Sequence, residues 1–319
     1  MKASVVIPTK NGGALFAEVL ASVLAQETPW PFEVLVIDSG SRDATLAICE
    51  RAAGVRVHVI PSAEFGHGRT RNRAIGLTSG EFIAMLTHDA RPADRHWLRE
   101  LVAAVEQAPD IAGAFGRHLP YPGRDPFLAR DLTHHFDNFA RGPSVVRLDD
   151  PQRYAADVGY RQFLHFFSNN NACLRRSVWE RIPLPDVDFA EDQLWAKAVI
   201  EAGYAKAYAD RARVFHSHEY RVWETLRRAY DEARAFRGSF GYRLCPSIAH
   251  GLAQSLRCSV RDYRYLLSEG LATRFPEWLV KIPLSHLARQ AGYFIGAGAG
   301  AGASTLDKLF SLDMAKKRR

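Results

Sequence analysis

A chain of 319 residues, 47% of them hydrophobic and 24% charged, is long enough for a substantial core and for two units, which excludes a disordered or fibrous protein. Its apolar runs fall short of the roughly 18 residues that cross a bilayer, and Met1-Lys2 leads straight into the strand-like Ala3-Ser4-Val5-Val6-Ile7, so neither a membrane span nor a signal peptide is expected and a cytoplasmic location is. The net charge of +7 is unevenly placed: residues 221–319 hold 17 Lys/Arg against 8 Asp/Glu, whereas residues 1–220 hold 25 against 27. Such a basic end suits an anionic membrane surface or nucleic acid, or is simply a solvated helical face. The widely spaced Cys49, Cys173, Cys245 and Cys258 have no zinc-ligand spacing and read as reduced thiols.

Residues 1–118 alternate between strand and helix. Strand-like runs fall at 4–7, 34–37, 55–60 and 82–86, and Leu15, Val19, Leu20, Val23 and Leu24 mark one face of a helix between the first two. A second helix is expected from about Asp43, capped by Ser41, to a stop near Gly54. The pattern predicts an α/β fold with a mostly parallel sheet flanked by helices. Residues 120–170, rich in Pro, Arg, His and aromatic side chains, read as long substrate-facing loops, with His134, His135 and His165 as loop or packing residues. A helix from Glu191 to Gly203 and a strand around 212–218 follow, and a domain change is expected near residue 220. Beyond it lies a basic helical region, 221–319. Its Gly-Ala alternation at 296–302 reads as a flexible link, or as a small-residue face for close helix packing.

Three strand ends carry polar clusters: Pro8-Thr9-Lys10-Asn11, Asp38-Ser39-Gly40-Ser41 and Thr87-His88-Asp89. On one parallel sheet they would line a single crevice beyond the strands' carboxyl ends, suited to a nucleotide diphosphate. No P-loop and no G-x-G-x-x-G dinucleotide pattern is present, which argues against Walker-type ATPases and nicotinamide enzymes.

The chain resembles the family 2 glycosyltransferases of the GT-A fold across about residues 3–220. The resemblance is carried by Val5-Val6-Ile7-Pro8-Thr9, by residues 36–45 around Asp38, by Gly80-Glu81-Phe82-Ile83 ahead of the acidic motif, and by Glu191-Asp192 before a helix. Residues 65–72, Leu86-Thr87-His88-Asp89-Ala90 and Val214-Phe215-His216-Ser217-His218 are further similar to bacterial rhamnosyltransferases of surface polysaccharide synthesis. The resemblance divides residues 1–220 into a nucleotide-sugar half, 1–118, and an acceptor half, 119–220. It implies an inverting, metal-dependent transfer of L-rhamnose from dTDP-L-rhamnose to a saccharide or lipid-linked saccharide, with no nucleic-acid partner.

By that resemblance Pro8, Thr9, Asn11 and Asp38 hold the base and ribose, and His67, Arg71, Asn72, Thr87 and His88 face the same pocket. Arg71 is expected to fork onto phosphate or base oxygens, while Arg69 reads as surface charge. Thr87 replaces the first acid of the family's D-x-D, leaving Asp89 as the metal carboxylate for Mg²⁺ or Mn²⁺. His216 and His218, on one face of a strand, are candidate co-ligands. Asp192 is the expected base, kept ionised by the positive end of its helix. Trp195, one turn on, is expected to form a platform for a sugar ring, and Glu191 and the run Asn169-Asn170-Asn171 to contact acceptor or donor sugar. The basic end implies peripheral attachment to the inner face of the cytoplasmic membrane. Competing readings are a glycosyltransferase using a UDP-hexose, a sugar-phosphate nucleotidyltransferase, whose glycine-rich Arg/Lys loop is not seen after Pro8-Thr9, and a non-catalytic nucleotide-sugar-binding subunit, which needs neither Asp192 nor paired histidines.

Overall fold

Strands buried on both faces need helices on both sides, and the first unit supplies them. The computed structural model describes residues 1–123, 125–187, 189–299 and 305–312, in two compact units, Met1–Ser217 and His218–Arg319. The first unit runs β1 (Ala3–Thr9), α1 (Gly13–Leu24), β2 (Phe32–Asp38), α2 (Thr45–Arg51), β3 (Val55–Val59), α3 (His67–Gly76), β4 (Phe82–Leu86), β5 (Arg91–Pro92), α4 (Trp97–Glu106) and β6 (Ile111–Leu119). It continues through α5 (Pro126–Arg141), β7 (Val145–Val146), α6 (Pro151–Ala156), α7 (Val158–His165), β8 (Asn171–Arg175), α8 (Arg176–Trp179), α9 (Glu191–Glu201) and β9 (Ala205–Phe215). Alternate residues divide between two cores. Val5, Ile7, Val34 and Val36 face α1 and α4 through Phe16, Leu20, Trp97 and Leu101. Val6, Leu35 and Ile37 face Ile75, Phe136, Trp195 and Val199 of α3, α5 and α9.

Among the described residues the strands form one mixed sheet in the order β3-β2-β1-β4-β8-β6-β9-β5, with β7 also pairing β9. The segment β3-β2-β1-β4 is parallel. Strand β8 then runs antiparallel to both β4 and β6, and β9 runs parallel to β6. The carboxyl ends of β1, β2, β3, β4, β6 and β9 therefore share one edge with the amino end of β8.

Residues 120–170 are not long loops. Asp125-Pro126 and Asp150-Pro151 start helices α5 and α6, each Asp side chain accepting backbone N–H bonds and each Pro occupying the first turn, and Asp157 caps α7 in the same way. Prolines read as loop signals stand in the first turn of helices. Helix α2 begins at Thr45 because Ser41 serves Asp38 instead of capping the helix. Strand β9 starts at Ala205, well before the expected 212, since pairing with β6 overrides the weak strand preference of its alanines.

The second unit holds α10 (Val222–Phe240), α11 (Ile248–Ser268), α12 (Trp278–Gly298) and α13 (Thr305–Phe310). Gly296 to Gly298 are helical, so the flexible-link reading fails there, while Gly300 and Gly302 lie outside the described residues. A Cβ at Gly292 would come 2.3 Å from the Leu226 carbonyl oxygen and one at Gly296 2.4 Å from that of Tyr230, so these glycines let α10 and α12 touch backbone to backbone.

In the first unit Gly116 has the same role, its missing Cβ leaving room for the Ala212 carbonyl (2.1 Å) and the Asn171 amide (2.4 Å). Gly116→Ala is expected to cost about 1–3 kcal/mol through forced separation of β6 from β8 and β9. Urea denaturation with an unchanged m value would show it.

Candidate active site

At the shared edge, the exits of β1 and β2 are tied into one rigid double loop. Asn11 adopts a left-handed backbone (φ 49°). Its N–H donates to the Ser41 hydroxyl at 2.8 Å and its side-chain oxygen accepts from Arg42 N–H at 2.8 Å. Gly12 N–H donates to Thr45 Oγ1 (2.9 Å) and Gly13 N–H to the Asp43 carboxylate (3.0 Å). Asp38 is fully buried: one carboxylate oxygen accepts the Gly40 and Ser41 N–H groups at 2.9 Å, the other the Ser41 hydroxyl. The Thr9 and Thr87 hydroxyl oxygens are buried and lack a hydrogen-bond partner among the described residues.

The exit of β4 is a turn, Ala90 N–H donating to the Thr87 carbonyl at 3.1 Å. Strand β5 then pairs antiparallel with β9, Arg91 opposite Phe215, which brings the residues just after β9 towards those just before β5. The Asp89 carboxylate lies 3.5 Å from His216 Nε2. One ligand atom each from Asp89, His216 and His218 falls within 4.8 Å of the others. Buried His216 is held by its N–H to the Leu119 carbonyl (2.9 Å) and by edge-to-face contact with His118 (centroids 5.2 Å). The Tyr121 hydroxyl donates to the Asp89 carbonyl at 3.1 Å.

The third group sits at the start of α9. Glu191 is buried, accepting from Arg71 at 3.0 Å and from the Asn169 amide at 3.1 Å. Burial works to raise its pKa, but the Arg71 charge, then His67 and the Asn169 amide, outweigh it and the net shift is downward. The half-buried Asp192 goes the other way, up to about 7, chiefly by desolvation and then by the neighbouring Glu191 carboxylate. Its bonds from Asn169 N–H (3.2 Å) and Gln193 N–H (2.8 Å) only partly oppose this. The pairing of Asn171 with Leu86 brings Asn169 and Asn170 next to the β4 exit. All three groups thus belong to one edge, and the concave region of about 790 Å³ lined by Arg147, Asp149, Arg153 and Tyr160 shares none of their residues.

The chain has counterparts among known proteins. Residues 4–182 fit the model of Glycosyl transferase family 2. The chain belongs to this family. It is 33% identical to the O-antigen chain rhamnosyltransferase RfbN of Salmonella typhimurium over 93% of its length and 90% of that protein's. It is 28% identical to the O-antigen chain rhamnosyltransferase WbaN of Salmonella anatum, over 92% and 88% respectively. Among solved structures, the mannosyltransferase PcManGT from Pyrobaculum calidifontis, in complex with GDP-Man and Mn²⁺, superimposes with a TM-score of 0.58 at 19% identity, covering 93% of this chain and 86% of that one. The fold is GT-A-like, and the protein is a glycosyltransferase.

Several residues expected to touch ligand in this glycosyltransferase instead build its frame. Trp195 is a core residue, wedged against Phe167 with its indole N–H on the Ile182 carbonyl (2.8 Å), and offers no sugar platform. Arg71 is buried against Glu191 instead of reaching a phosphate, and the same pairing withdraws Glu191 from sugar contact. Asn72 accepts from the Trp179 indole (2.8 Å) and Leu184 N–H (3.1 Å) and donates to the Leu184 carbonyl (2.7 Å), stapling the loop ahead of α9. Asn171 is wholly buried and spent on protein partners. Asp38 is consumed by its own loop, and Pro8 is buried within β1. Helix polarity does not keep Asp192 ionised, because burial and Glu191 prevail. Arg69 is exposed near Asp186 (3.6 Å), in keeping with surface charge. His67, Thr87, His88, Asp89 and Asn170 keep partial exposure on the edge. Asn169, expected with its two neighbours to contact sugar, is instead spent on the carboxylates, its amide on Glu191 and its backbone N–H on Asp192.

Two stability measurements follow from the Arg71–Glu191–Asp192 arrangement. Arg71→Met leaves the Glu191 charge buried without its cation and is expected to cost about 3–5 kcal/mol in chemical denaturation. A carboxyl whose folded pKa is raised stabilises the fold when protonated, and that stability is lost as pH climbs from its ordinary 3.8 towards about 7. Asp192→Asn should therefore gain stability relative to the parent across that range, with little further change at higher pH.

Proposed function

We propose that this glycosyltransferase moves L-rhamnose from dTDP-L-rhamnose, with inversion at the anomeric carbon, to a saccharide or lipid-linked saccharide acceptor of surface polysaccharide synthesis. The observation that supports the sugar is the 33% identity to an O-antigen rhamnosyltransferase along nearly the whole chain. The geometry supports the mechanism. Asp192 is a carboxylate with a raised proton affinity at the crevice edge, suited to take the acceptor hydroxyl proton. As it does so, the acceptor oxygen bonds to the anomeric carbon and the bond from that carbon to the diphosphate oxygen breaks, so one displacement inverts the centre. Glu191 stays ionised against Arg71 and holds Asp192 basic, and Asn169 fixes the carboxylate through its backbone N–H.

Asp89, His216 and His218 would hold a divalent cation. Metal–ligand bonds of about 2.0–2.2 Å place donor atoms roughly 3–4 Å apart, and these side chains, already within 4.8 Å, close that gap by small rotations. Two imidazoles beside one carboxylate suit Mn²⁺ better than Mg²⁺, which prefers oxygen throughout. Such a cation supplies positive charge for the departing diphosphate. The orphaned hydroxyls of Thr9 and Thr87 are the natural partners for the donor's polar groups, with Asn11, His67 and His88 beside them. Asn170, on the acceptor side, completes the crevice. In this reading the acceptor is presented at the inner face of the cytoplasmic membrane, and the basic second unit holds the enzyme there.

A panel of nucleotide-sugars assayed for nucleotide release with Mn²⁺, Mg²⁺ or chelator tests the reading. Turnover of dTDP-L-rhamnose, best with Mn²⁺ and abolished by chelator, is the expected result, and Asp192→Asn should lower it by about 10²–10⁴-fold. Turnover confined to a UDP-hexose would overturn the donor assignment, and undiminished turnover by the Asn variant the base.

A further inference from the structure

Helix α11 is built inside out. Its inward residues are small or polar, Gly251, Ser255, Ser259 and Asp262, with Leu266 closing the row. Its outward residues are large and apolar: Ile248 (64% exposed), Leu252 (57%), Leu256 (68%) and Val260 (41%). These four recur every fourth residue, so they form one continuous stripe along the helix. The neighbouring α12 also exposes large apolar residues, Val280 (64%), Leu284 (47%) and Leu287 (42%), although its inward face carries Trp278 and Ile282 before the small Ala288, Gly292 and Gly296. A buried Asp262–His286 pair (2.8 Å) joins the two helices, so the two stripes belong to one rigid element. Water-exposed leucines on a helix whose small residues are buried are the reverse of what a soluble surface helix shows.

We propose that this face of α11 and α12 is a lipid-docking surface, whose leucines enter the interfacial layer of an anionic bilayer while the adjoining arginines meet its headgroups. This rests on, and deepens, the reading that the enzyme works on an acceptor held at the membrane. Charge decides for lipid over a second copy of the chain. Arg257 and Arg264 are exposed on α11 beside the leucine stripe, Arg261 being paired with Asp262 (2.8 Å), in a region with nine more basic than acidic residues. Packing two copies through this face would bring those arginines together, whereas anionic headgroups would satisfy them. No helix of the described residues is long and apolar enough to cross a membrane, which fits a helix lying in the surface and not one spanning it.

Flotation of the full chain with vesicles of phosphatidylglycerol and phosphatidylcholine tests this. Binding is expected to the mixed vesicles at low salt, with little to pure phosphatidylcholine. Leu252→Glu with Leu256→Glu should lower the partition coefficient by about tenfold or more, with turnover of a soluble saccharide acceptor unchanged. Leu256→Trp provides a reading independent of folding losses, since its emission should shift to the blue on the mixed vesicles. Flotation equal to the parent's in the double Glu variant, or no shift for the Trp reporter, overturns the proposal. So does a parent chain that light scattering shows to be dimeric and non-floating, with the double variant monomeric. Loss of turnover alone in the donor panel, with flotation intact, would count against the catalytic reading and leave this one standing.

Discussion

The crevice hangs on one buried amide. Asn171 accepts the Trp97 indole N–H at 2.7 Å and donates to the carbonyls of Ala212 (2.8 Å) and Arg117 (3.2 Å), so a single side chain ties the start of β8 to α4, β6 and β9. Two of the three hydrogen bonds of that amide, to Trp97 and Ala212, are fully buried, so losing it would strand polar atoms at both. Because β8 is fixed there, running against both its neighbours, the amino end of one strand joins the carboxyl ends of six others. A wholly parallel sheet would have sent Asn169 and Asn170 to the opposite edge, away from Asp192 and Asp89.

The same edge divides two adjacent carboxyls by environment. Glu191 and Asp192 are neighbours at the start of one helix, and a shared helix end would treat them alike. Arg71 breaks the symmetry, since it hydrogen-bonds Glu191 and opposes the upward shift of Asp192 only weakly. With Glu191 held as the anion, its charge adds to the desolvation of Asp192 and keeps a proton near the latter into neutral pH. The buried ion pair is thus less a source of stability than a fixed charge placed next to a titrating group. Arg71, read from sequence as a ligand contact, acts one residue removed from the chemistry.

Much of the first unit was legible because its strands are short, apolar and separated by amphipathic helices, and period alone places Val5, Val34 and Phe82 in the sheet. The acid at the end of β4 and the histidines at the end of β9 were legible as types of residue, but their meeting depends on the β5–β9 register, which no local pattern records. Trp195 and Asn171 were misread for a related reason. An aromatic ring or an amide looks the same in sequence whether it meets a sugar or a backbone carbonyl, and only the Ile182 and Ala212 carbonyls tell which. Residues 120–170 failed because Asp-Pro marks both a turn and a helix start. At the Gly-Ala stretch the flexible-link reading failed at 296–298 and the small-residue packing face holds at Gly296, because glycine weakens a helix in isolation yet permits the backbone contact of α12 with α10 that stabilises it.

The altered acidic motif shows how the separate parts constrain one another. With Thr87 in place of the first acid, the β4 turn offers one carboxylate, too little negative charge to hold a hard divalent ion by itself. The segment after strand β9 brings His216 and His218 to the same place. Under the proposed function, a site of one carboxylate and two neutral imidazole nitrogens would retain more of a cation's positive charge than a pair of carboxylates would, and so would act more strongly on a diphosphate placed against it. Thr87, whose hydroxyl is buried and without a hydrogen-bond partner among the described residues, would then bond to the donor instead of repelling its phosphates, as an acid there would. The departure from two acids is in that reading consistent across the edge: a neutral contact at Thr87, imidazole co-ligands at His216 and His218, and a single acid, Asp192, kept apart for the proton.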